Sequence, residues 1–459
     1  MNILLITHFF PPKHNAGTEN YTLGLAQAFL AKGHRVYVLC AEDWSSGEGY
    51  WNGVTEDVYL GVPVIRIHLN WTKAANPNHV LFESLPVEQW LDQYLQVHRP
   101  DIVHVTSTYS LGVGILRSAR RARIPLVLTL MDFWFLCPRT SLLRGDGELC
   151  DGRTTPWECQ ECLLTSSRLY HRTKSVLSSQ LQPVLWYGIA HVPLLARRRG
   201  ARGMALDVNY RKAEMRKELQ LPNVIISHSA FVQKMIAQAG LSQRVIQISN
   251  GLDLDWAANY QGKSSSPLIR FGYMGQITKI KGVHLVIQAF QQLRTAGRAR
   301  LDIWGDFNRE PAYGKELHEL IGNDPTITLR GRFQRAQLAT VLADIDILIV
   351  PSMWYENAPL VILEAFVTQT PVIATNLGGM AESVQHEVTG LLFKRGDAAD
   401  LSKQMARILG EPNLLAKLKG GIQAVKSVEQ EVLQLEEIYA NLLADPERII
   451  SDLPEVSLV

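Results

Sequence analysis

The hydrophobic positions of this chain form short apolar runs, separated by longer segments with helical periodicity. Such runs are typical of strands that are buried on both faces of a parallel sheet. Strands that alternate with helices predict an α/β fold with parallel sheets. In the first half the runs lie at residues 2–7, 35–40, 64–67, 102–105, 126–130, 224–227 and 245–248. In the second half they lie at residues 269–274, 301–305, 327–329, 347–350, 371–374 and 391–393.

A chain of 459 residues is long enough for two domains. The pattern predicts an N-terminal domain over residues 1–252, interrupted by an insertion over about 137–220. Residues 253–266, with Gly262 and a run of serines, are predicted to be a linker. A second domain is expected over residues 267–425, followed by a C-terminal helix and tail over 426–459.

The stretch 346–366 carries the most informative chemistry. An apolar strand ends at Pro351, a polar loop follows, and Pro359 occupies a predicted first helical position. The free N–H groups of Leu360 and Val361 would favour a phosphate there. Glu356 and Glu364 flank this helix start. Two interpretations stay open: the two carboxylates accept hydrogen bonds from sugar hydroxyls, or they are ordinary surface acids.

Other candidate residues follow strands of the two predicted sheets. Lys279 and Lys281 precede a helix and could neutralise a diphosphate, or they could be exposed lysines. Asp132 stands at the carboxyl end of a strand, where open α/β sheets bind ligands. His104, within an apolar strand, is interpreted as a core or rim histidine in preference to a catalytic one. The first loop lacks G-x-G-x-x-G, which argues against a dinucleotide site.

Four of the five cysteines fall within 26 residues: Cys137, Cys150, Cys159 and Cys162. The two-residue gap between the last two would allow both sulfurs to chelate one ion. Sulfur ligation favours a structural zinc or an iron–sulfur cluster. The alternative is a set of reduced thiols, or a disulfide that forms on oxidation.

Composition and local patterns exclude some classes of protein and leave others open. The net charge of +2 is not that of a nucleic-acid binder, and no apolar run reaches the ~18 residues of a membrane span. The first residues lack the pattern of a signal peptide, so a cytoplasmic protein is expected. Residues 181–190 are largely apolar and precede basic residues between 197 and 217. This segment is interpreted either as a peripheral contact with the inner face of a membrane or as a solvated helical insertion.

Several motifs together resemble the retaining GT-B glycosyltransferases of family four, in a cysteine-bearing subset. In the second half they are Gly275…Lys281-Gly282, Pro351-Ser352, Glu356-x7-Glu364 and Gly378-Gly379-Met380-Ala381-Glu382. In the first half they are the loop through Gly17 and the run from Asp132 to Pro138. The resemblance implies two Rossmann-like domains facing a central cleft. The donor would bind mainly to the second domain and the acceptor to the first, and the final helix would return to the first domain.

The resemblance also assigns roles within the site. Lys281 would contact the diphosphate, Glu364 the ribose, and Glu356 the donor sugar or its leaving phosphate. Asp132 would orient substrate hydroxyls. The implied catalytic residues are Glu356, Asp132 and Lys281. The implied donor-binding residues are Gly17, Gly275, Lys279, Lys281, Arg332, Phe333, Glu356, Asn357, Ala358, Leu360, Val361 and Glu364.

The implied activity is transfer of a hexose from a UDP- or GDP-linked donor to a saccharide or lipid-linked acceptor, in polysaccharide or glycolipid biosynthesis. No cofactor is expected for catalysis. Two departures from the family pattern stand out: Gln276 replaces an arginine, and Met131 replaces a histidine that usually lies near the reacting sugar carbon. The alternatives are a nucleotide-sugar epimerase on the same fold and a non-catalytic subunit that binds nucleotides or carbohydrates.

Overall fold

The chain folds into two α/β units, each built on one β-sheet. The computed structural model describes residues 1–42, 46–76, 79–165, 181, 184–185, 203–242, 244–293 and 297–449. The first unit comprises Met1–Ser249 together with Glu429–Val459, and the second comprises Asn250–Val428. The predicted linker, residues 253–266, lies inside the second unit, where Trp256 is buried.

The first unit is built on an eight-stranded sheet in the order β3-β4-β2-β1-β5-β6-β7-β8. All its pairings are parallel except the antiparallel pair β3–β4. The strands are β1 Asn2–Ile6, β2 Arg35–Ala41, β3 Trp51–Tyr59, β4 Val62–Leu69, β5 Ile102–Val105, β6 Leu126–Leu130, β7 Val224–Ser227 and β8 Val245–Gln247. The helices are α1 Gly17–Ala31, α2 Leu85–His98, α3 Gly114–Arg121, α4 Pro156–Leu164, α5 Gly203–Glu218 and α6 Ala230–Gln238.

Strand β3 is the element of this sheet that the apolar pattern does not predict. It lies at the edge of the sheet and most of its residues are exposed or half-buried. An edge strand with an exposed face needs few apolar residues, so its sequence shows no buried run.

The second unit has a six-stranded parallel sheet in the order β11-β10-β9-β12-β13-β14. Its strands are β9 Ile269–Met274, β10 Ala299–Trp304, β11 Ile327–Gly331, β12 Ile347–Val350, β13 Val372–Thr375 and β14 Gly390–Phe393. The helices are α7 Val283–Gln292, α8 Pro311–Ile321, α9 Leu338–Ala343, α10 Leu360–Val367, α11 Gly378–Ser383, α12 Ala398–Gly410 and α13 Leu414–Gly421.

The strands of the second sheet, apart from the edge strand β11, are largely buried, which explains their continuous apolar runs. Ile347 and Ile349 pack into a cluster that includes residues of α7 and α12. Leu348 and Val350 pack into a second cluster that includes residues of α9 and α10. Neighbouring side chains of a strand point to opposite faces, so the two clusters lie on opposite sides of the sheet. A layer of helices therefore covers each side.

Each sheet has one point where the strand order reverses. It lies between β1 and β5 in the first unit and between β9 and β12 in the second. At such a point the loops leaving the two strands diverge, and open α/β sheets bind ligands in the resulting crevice at the carboxyl ends. The loops after these four strands are therefore the places to look for sites.

The last helix, α14 Val428–Ala444, belongs to the first unit from Glu429 onward. The Tyr439 hydroxyl lies 2.6 Å from His104 Nδ1, and Thr129 Oγ1 lies 2.7 Å from His104 Nε2. Both ring nitrogens therefore have partners, and burial lowers the pKa of His104 to about 3. His104 is a core histidine, in agreement with its interpretation from sequence.

We expect Tyr439→Phe to lower the free energy of unfolding by about 1–3 kcal/mol, because a buried ring nitrogen of His104 would lose its partner. Urea unfolding followed by circular dichroism measures the change. Tyr37→Phe is the matched control, since Tyr37 is 39% exposed, and it should change stability by less than about 0.5 kcal/mol. Equal effects of the two variants would contradict the anchoring role of this contact.

Candidate functional site in the second unit

The candidate site lies where β9 and β12 leave the second sheet, at the reversal of strand order. After β9 the chain passes through a 3-10 turn, Lys279–Lys281, and Gly282 then caps α7. After β12 it forms the loop 351–359 that leads into α10. The two loops touch directly, because the Met353 N–H donates to the Ile280 carbonyl at 2.8 Å.

Glu356 is the centre of this site. Its Oε1 atom accepts hydrogen bonds from Lys281 Nζ at 2.6 Å, Ser352 Oγ at 2.7 Å and Trp354 Nε1 at 2.9 Å. The Lys281 and Glu356 side chains are 24% and 12% exposed. A charge pair that is largely removed from water interacts more strongly than one on the surface. The ammonium also lies 5.2 Å from the centre of the Trp354 ring, within range of a cation–π contact.

Two glycines allow the surrounding loops to approach this closely. At Gly282, φ is +74°, and a Cβ atom would lie 2.2 Å from the Pro351 carbonyl oxygen. At Gly379, a Cβ atom would lie 1.4 Å from the Asn357 carbonyl oxygen. The Gly379 N–H donates to the Glu356 carbonyl at 2.9 Å. The first turn of α11 therefore holds the Glu356 loop in place through its backbone.

Glu364 occupies a second, separate position, on α10. Its Oε1 lies 3.2 Å from Arg335 Nη1, and Arg335 Nη2 lies 3.4 Å from Asp253 Oδ2. Burial raises the pKa of the Glu364 carboxyl, and the neighbouring Arg335 guanidinium opposes that shift. The structure thus adds Arg335 to the residues around Glu364. The sequence offered no signal for it, because 29 residues separate it from Glu364.

The other predicted donor residues are distributed more widely. The Lys279 side chain is 65% exposed and pairs with Glu316 at 3.4 Å, so it does not join the Lys281–Glu356 pair. Arg332 is 79% exposed in the loop after β11, 3.6 Å from Asp306. Phe333 is half-buried against the cluster that includes Trp256.

The start of α10 differs by one residue from the prediction. The helix begins at Leu360, and Pro359 is its extended N-cap residue. Ala358, Leu360 and Val361 are half-buried beside the Glu356 loop, and Asn357 contributes the carbonyl that approaches Gly379.

The predicted glycine positions have different backbone requirements. Gly275 adopts a φ of +153°, a conformation that L side chains rarely adopt, and its N–H donates to the Trp304 carbonyl at 3.1 Å. Gly17 is the exposed first residue of α1, and an added Cβ would meet no atom within 4 Å. The N-cap residue of this helix is Ala16, whose side chain offers no capping oxygen.

Asp132 follows β6 in the first unit. Its Oδ1 accepts the Trp134 N–H at 2.8 Å. Burial raises the pKa of the Asp132 carboxyl, and the hydrogen bond from the Trp134 N–H opposes the shift. Arg211 lies beside this turn, because it stacks on the Trp134 ring and donates to the Trp134 carbonyl. The sequence had not linked Arg211 to Asp132.

The four cysteines do converge, since Cys137, Cys150, Cys159 and Cys162 line one pocket. All four are free thiols. Separate donors hold two of the sulfurs: the Gly152 N–H lies 3.4 Å from Cys150 Sγ, and Thr154 Oγ1 lies 2.8 Å from Cys159 Sγ. Among the described residues, no group of three or more His, Cys, Asp or Glu side chains is arranged to hold a metal ion. The predicted metal site is therefore not supported by this arrangement.

The segment interpreted as a membrane contact is only partly visible. Residues 182–183 and 186–202, with Arg197–Arg199 and Arg202, lie outside the described residues. Two described basic residues face their own unit instead. The buried Arg211 stacks 4.2 Å from the centre of the Trp134 ring, and burial lowers its pKa to about 10. Lys212 Nζ donates to the Thr154 carbonyl at 2.6 Å. These two cations are therefore unsuited to a membrane surface.

No helix in the described ranges combines the length and the apolar character that a membrane crossing requires.

Both units match family models of glycosyltransferases. Residues 269–411 match the model described as glycosyl transferases group 1. Residues 16–172 match the model described as glycosyl transferase 4-like domain. The first match contains the Lys281–Glu356 pair and Glu364, and the second contains Asp132 and the four cysteines.

A curated relative is N-acetyl-alpha-D-glucosaminyl L-malate synthase of Bacillus anthracis. It is 30% identical over 183 residues, which cover 38% of this chain and 45% of that protein. The chain spans about half the length of the first curated relatives that it matches.

Two solved structures share the fold over nearly the whole chain. HepE of Anabaena, in complex with UDP, has a TM-score of 0.62 at 18% identity and covers 96% of this chain and 100% of its own. Sucrose-phosphate synthase of Thermosynechococcus elongatus has a TM-score of 0.64 at 17% identity and covers 97% and 100%. The predicted α/β fold of GT-B type, with two Rossmann-like domains, is confirmed.

Proposed function

We propose that this chain is a retaining glycosyltransferase that moves a hexose from a UDP- or GDP-linked sugar to a saccharide or lipid-linked acceptor. The observation that carries the proposal is Glu356, which Lys281, Ser352 and Trp354 hold at the switch point of the second sheet. The glycosyltransferase domain models that match both units support it.

Lys281 is the proposed diphosphate ligand. An ammonium group carries three N–H donors, so Lys281 can keep its bond to Glu356 and donate to a phosphate oxygen at the same time. The Lys281–Glu356 pair fixes the ammonium before the donor arrives, which lowers the ordering cost of binding. The complex of HepE with UDP supports a uridine nucleotide as the first donor to test.

Glu356 and Glu364 are proposed to bind hydroxyl groups. The three donors of the Glu356 site all reach Oε1, and we assign Oε2 to a hydroxyl of the donor sugar. Glu364, which Arg335 orients, is assigned to the ribose. Arg332 and Phe333 are assigned to the base, and the amides of Ala358, Leu360 and Val361 to sugar and phosphate oxygens.

The transfer follows from these assignments. The bond between the sugar's C1 and the diphosphate oxygen breaks, and the leaving group keeps the electron pair. Negative charge therefore grows on the diphosphate, where Lys281 and the N-terminus of α10 would stabilise it. The acceptor oxygen attacks C1 on the face that the diphosphate leaves, and its proton passes to a phosphate oxygen. This route retains the anomeric configuration.

The proposal predicts that Lys281 binds the nucleotide and that Lys279 does not. Lys281→Met should weaken UDP or GDP binding by about 10- to 100-fold, because a hydrogen bond to a charged group is lost. Lys279→Met should change it by less than about 2-fold, since this exposed lysine pairs with Glu316. Isothermal titration calorimetry with UDP and GDP measures both variants. Equal losses in the two variants would contradict the proposed geometry.

An assay of the wild-type protein distinguishes sugar transfer from the two alternative functions. Purified wild-type protein is incubated with UDP- and GDP-sugars, with and without a panel of glycoside acceptors. We expect nucleoside diphosphate to be released only when an acceptor is present. An epimerised nucleotide sugar formed without an acceptor would support the epimerase, and binding without turnover would support a non-catalytic subunit.

A further inference from the structure

A cluster of polar side chains lies at the switch point of the first sheet. His8 follows β1, Tyr109 follows β5, and Asp132 follows β6, the next strand along. Glu19, in the first turn of α1, completes this set. We call these four residues the acceptor-side cluster. The sequence had drawn attention to Asp132 and to Met131, but not to the other three residues.

His8 and Glu19 form the core of the acceptor-side cluster. His8 Nε2 lies 3.4 Å from Glu19 Oε1, and the two side chains are 16% and 5% exposed. The ring of His8 meets Tyr109 edge-on, with centroids 6.1 Å apart, and Tyr109 meets Trp134 edge-on at 4.9 Å. The imidazole therefore contacts a carboxylate on one side and an aromatic wall, formed by Tyr109 and Trp134, on the other.

Several buried polar atoms in and beside this cluster have no hydrogen-bond partner among the described residues. They are His8 Nδ1, Glu19 Oε2, Thr108 Oγ1 and Trp134 Nε1. Glu19, Thr108 and Trp134 are each at most 4% exposed. An unsatisfied buried polar atom costs about 1–3 kcal/mol, so several of them close together indicate a place where a ligand supplies the missing partners.

The chemistry of the cluster defines the class of ligand. The unsatisfied atoms include both donors and acceptors, which matches hydroxyl groups because each hydroxyl can donate and accept. Glu19 and Asp132 bring two carboxylates to the cluster. The nearby cation Arg211 stacks on the Trp134 ring and donates to the Trp134 carbonyl, and its Nε has no hydrogen-bond partner among the described residues. A phosphorylated ligand would meet two like charges here. A neutral sugar with an apolar ring face suits both the carboxylates and the aromatic wall.

We propose that His8, oriented by Glu19, binds a hydroxyl group of a neutral saccharide acceptor. The inference rests on the proposed function and adds to it the acceptor class and two residues that recognise the acceptor. His8 is a binding residue, and Glu19 is a positioning residue that acts through His8.

Saturation-transfer NMR on the full-length protein tests this proposal without requiring turnover. The probes are methyl α-glucoside, methyl β-galactoside and N-acetylglucosamine, with glucose 6-phosphate as the charged comparison. We expect at least one neutral probe to bind, and to bind better than the phosphate. His8→Ala and Glu19→Gln should each weaken that binding by at least about 5-fold, and His8→Gln, which keeps an N–H donor, should restore part of it.

The control is His14→Gln in the same loop, because His14 stacks on Phe9 and lies 3.4 Å from the Glu42 carbonyl. It should leave probe binding unchanged, and all variants should keep the wild-type affinity for UDP or GDP. Absence of binding by every neutral probe, stronger binding of the phosphate, or equal binding by His8→Ala and wild type would each overturn the inference. Failure of nucleotide binding in the wild type would instead overturn the proposed function.

Discussion

Glu356→Gln is expected to reduce sugar transfer by at least about 100-fold while the protein stays folded. The substitution keeps the size of the side chain but removes the negative charge that holds Lys281 at 2.6 Å. The Lys281 ammonium is then free to rotate, and the donor sugar loses a charged hydrogen-bond acceptor. Loss of one preorganised electrostatic contact in an active site typically costs 10²–10³-fold in turnover.

The measurement is release of nucleoside diphosphate from a donor and acceptor pair that the wild-type protein uses. Glu316→Gln is the matched control, since Glu316 pairs with the exposed Lys279 in the same unit. We expect it to change turnover by less than about 2-fold, as for a typical surface ion pair. If both variants transferred sugar at the wild-type rate, the central assignment of Glu356 would be wrong.

The sequence named candidate residues for this site, and the structure adds the contacts between them. The strands β9 and β12 are both readable as apolar runs, and Lys281 and Glu356 both follow such runs. Their contact spans 75 residues and depends on the pairing of β9 with β12. Spacing within one loop contains no information about which strands pair, so the ion pair emerges only in the folded chain.

One physical reason explains why some residues of the candidate sites were not identified from the sequence. Trp354 lies two residues before Glu356, but its role depends on the indole N–H turning back onto the carboxylate. Arg335 and His8 act through partners that are distant in sequence or on another element. Local periodicity identifies strands and helices because it records burial, and it does not record such tertiary contacts.

The cysteines illustrate a case in which a local pattern predicts which residues come together but not how they would bind a ligand. The spacing of Cys159 and Cys162 within α4 allows chelation, and all four thiols do line one pocket. A metal site needs at least three donors at matched distances from one point, a condition that spacing alone does not impose. Convergence could therefore be predicted from the sequence, but coordination geometry could not.

Gly379→Ala is expected to reduce transfer by about 100-fold by a different route, through the position of the Glu356 loop. The added Cβ would lie 1.4 Å from the Asn357 carbonyl oxygen and 2.8 Å from that of Glu356. Backbone atoms cannot yield as a flexible side chain can, so the loop must move by more than about 1 Å. A displacement of that size in an active site costs about 100-fold in rate, and the overlap should also lower stability by about 1–3 kcal/mol.

Gly410→Ala is the matched control, because a Cβ at this last residue of α12 would meet no atom within 4 Å. It should keep wild-type activity and match or slightly exceed wild-type stability. Turnover, UDP or GDP affinity and thermal unfolding are measured on both variants under conditions where each is folded. We expect Gly379→Ala to lose turnover well beyond its loss of nucleotide affinity, since the displaced carboxylate is assigned to the sugar rather than to the nucleotide. Wild-type turnover in Gly379→Ala would show that the position of the Glu356 loop does not control the reaction.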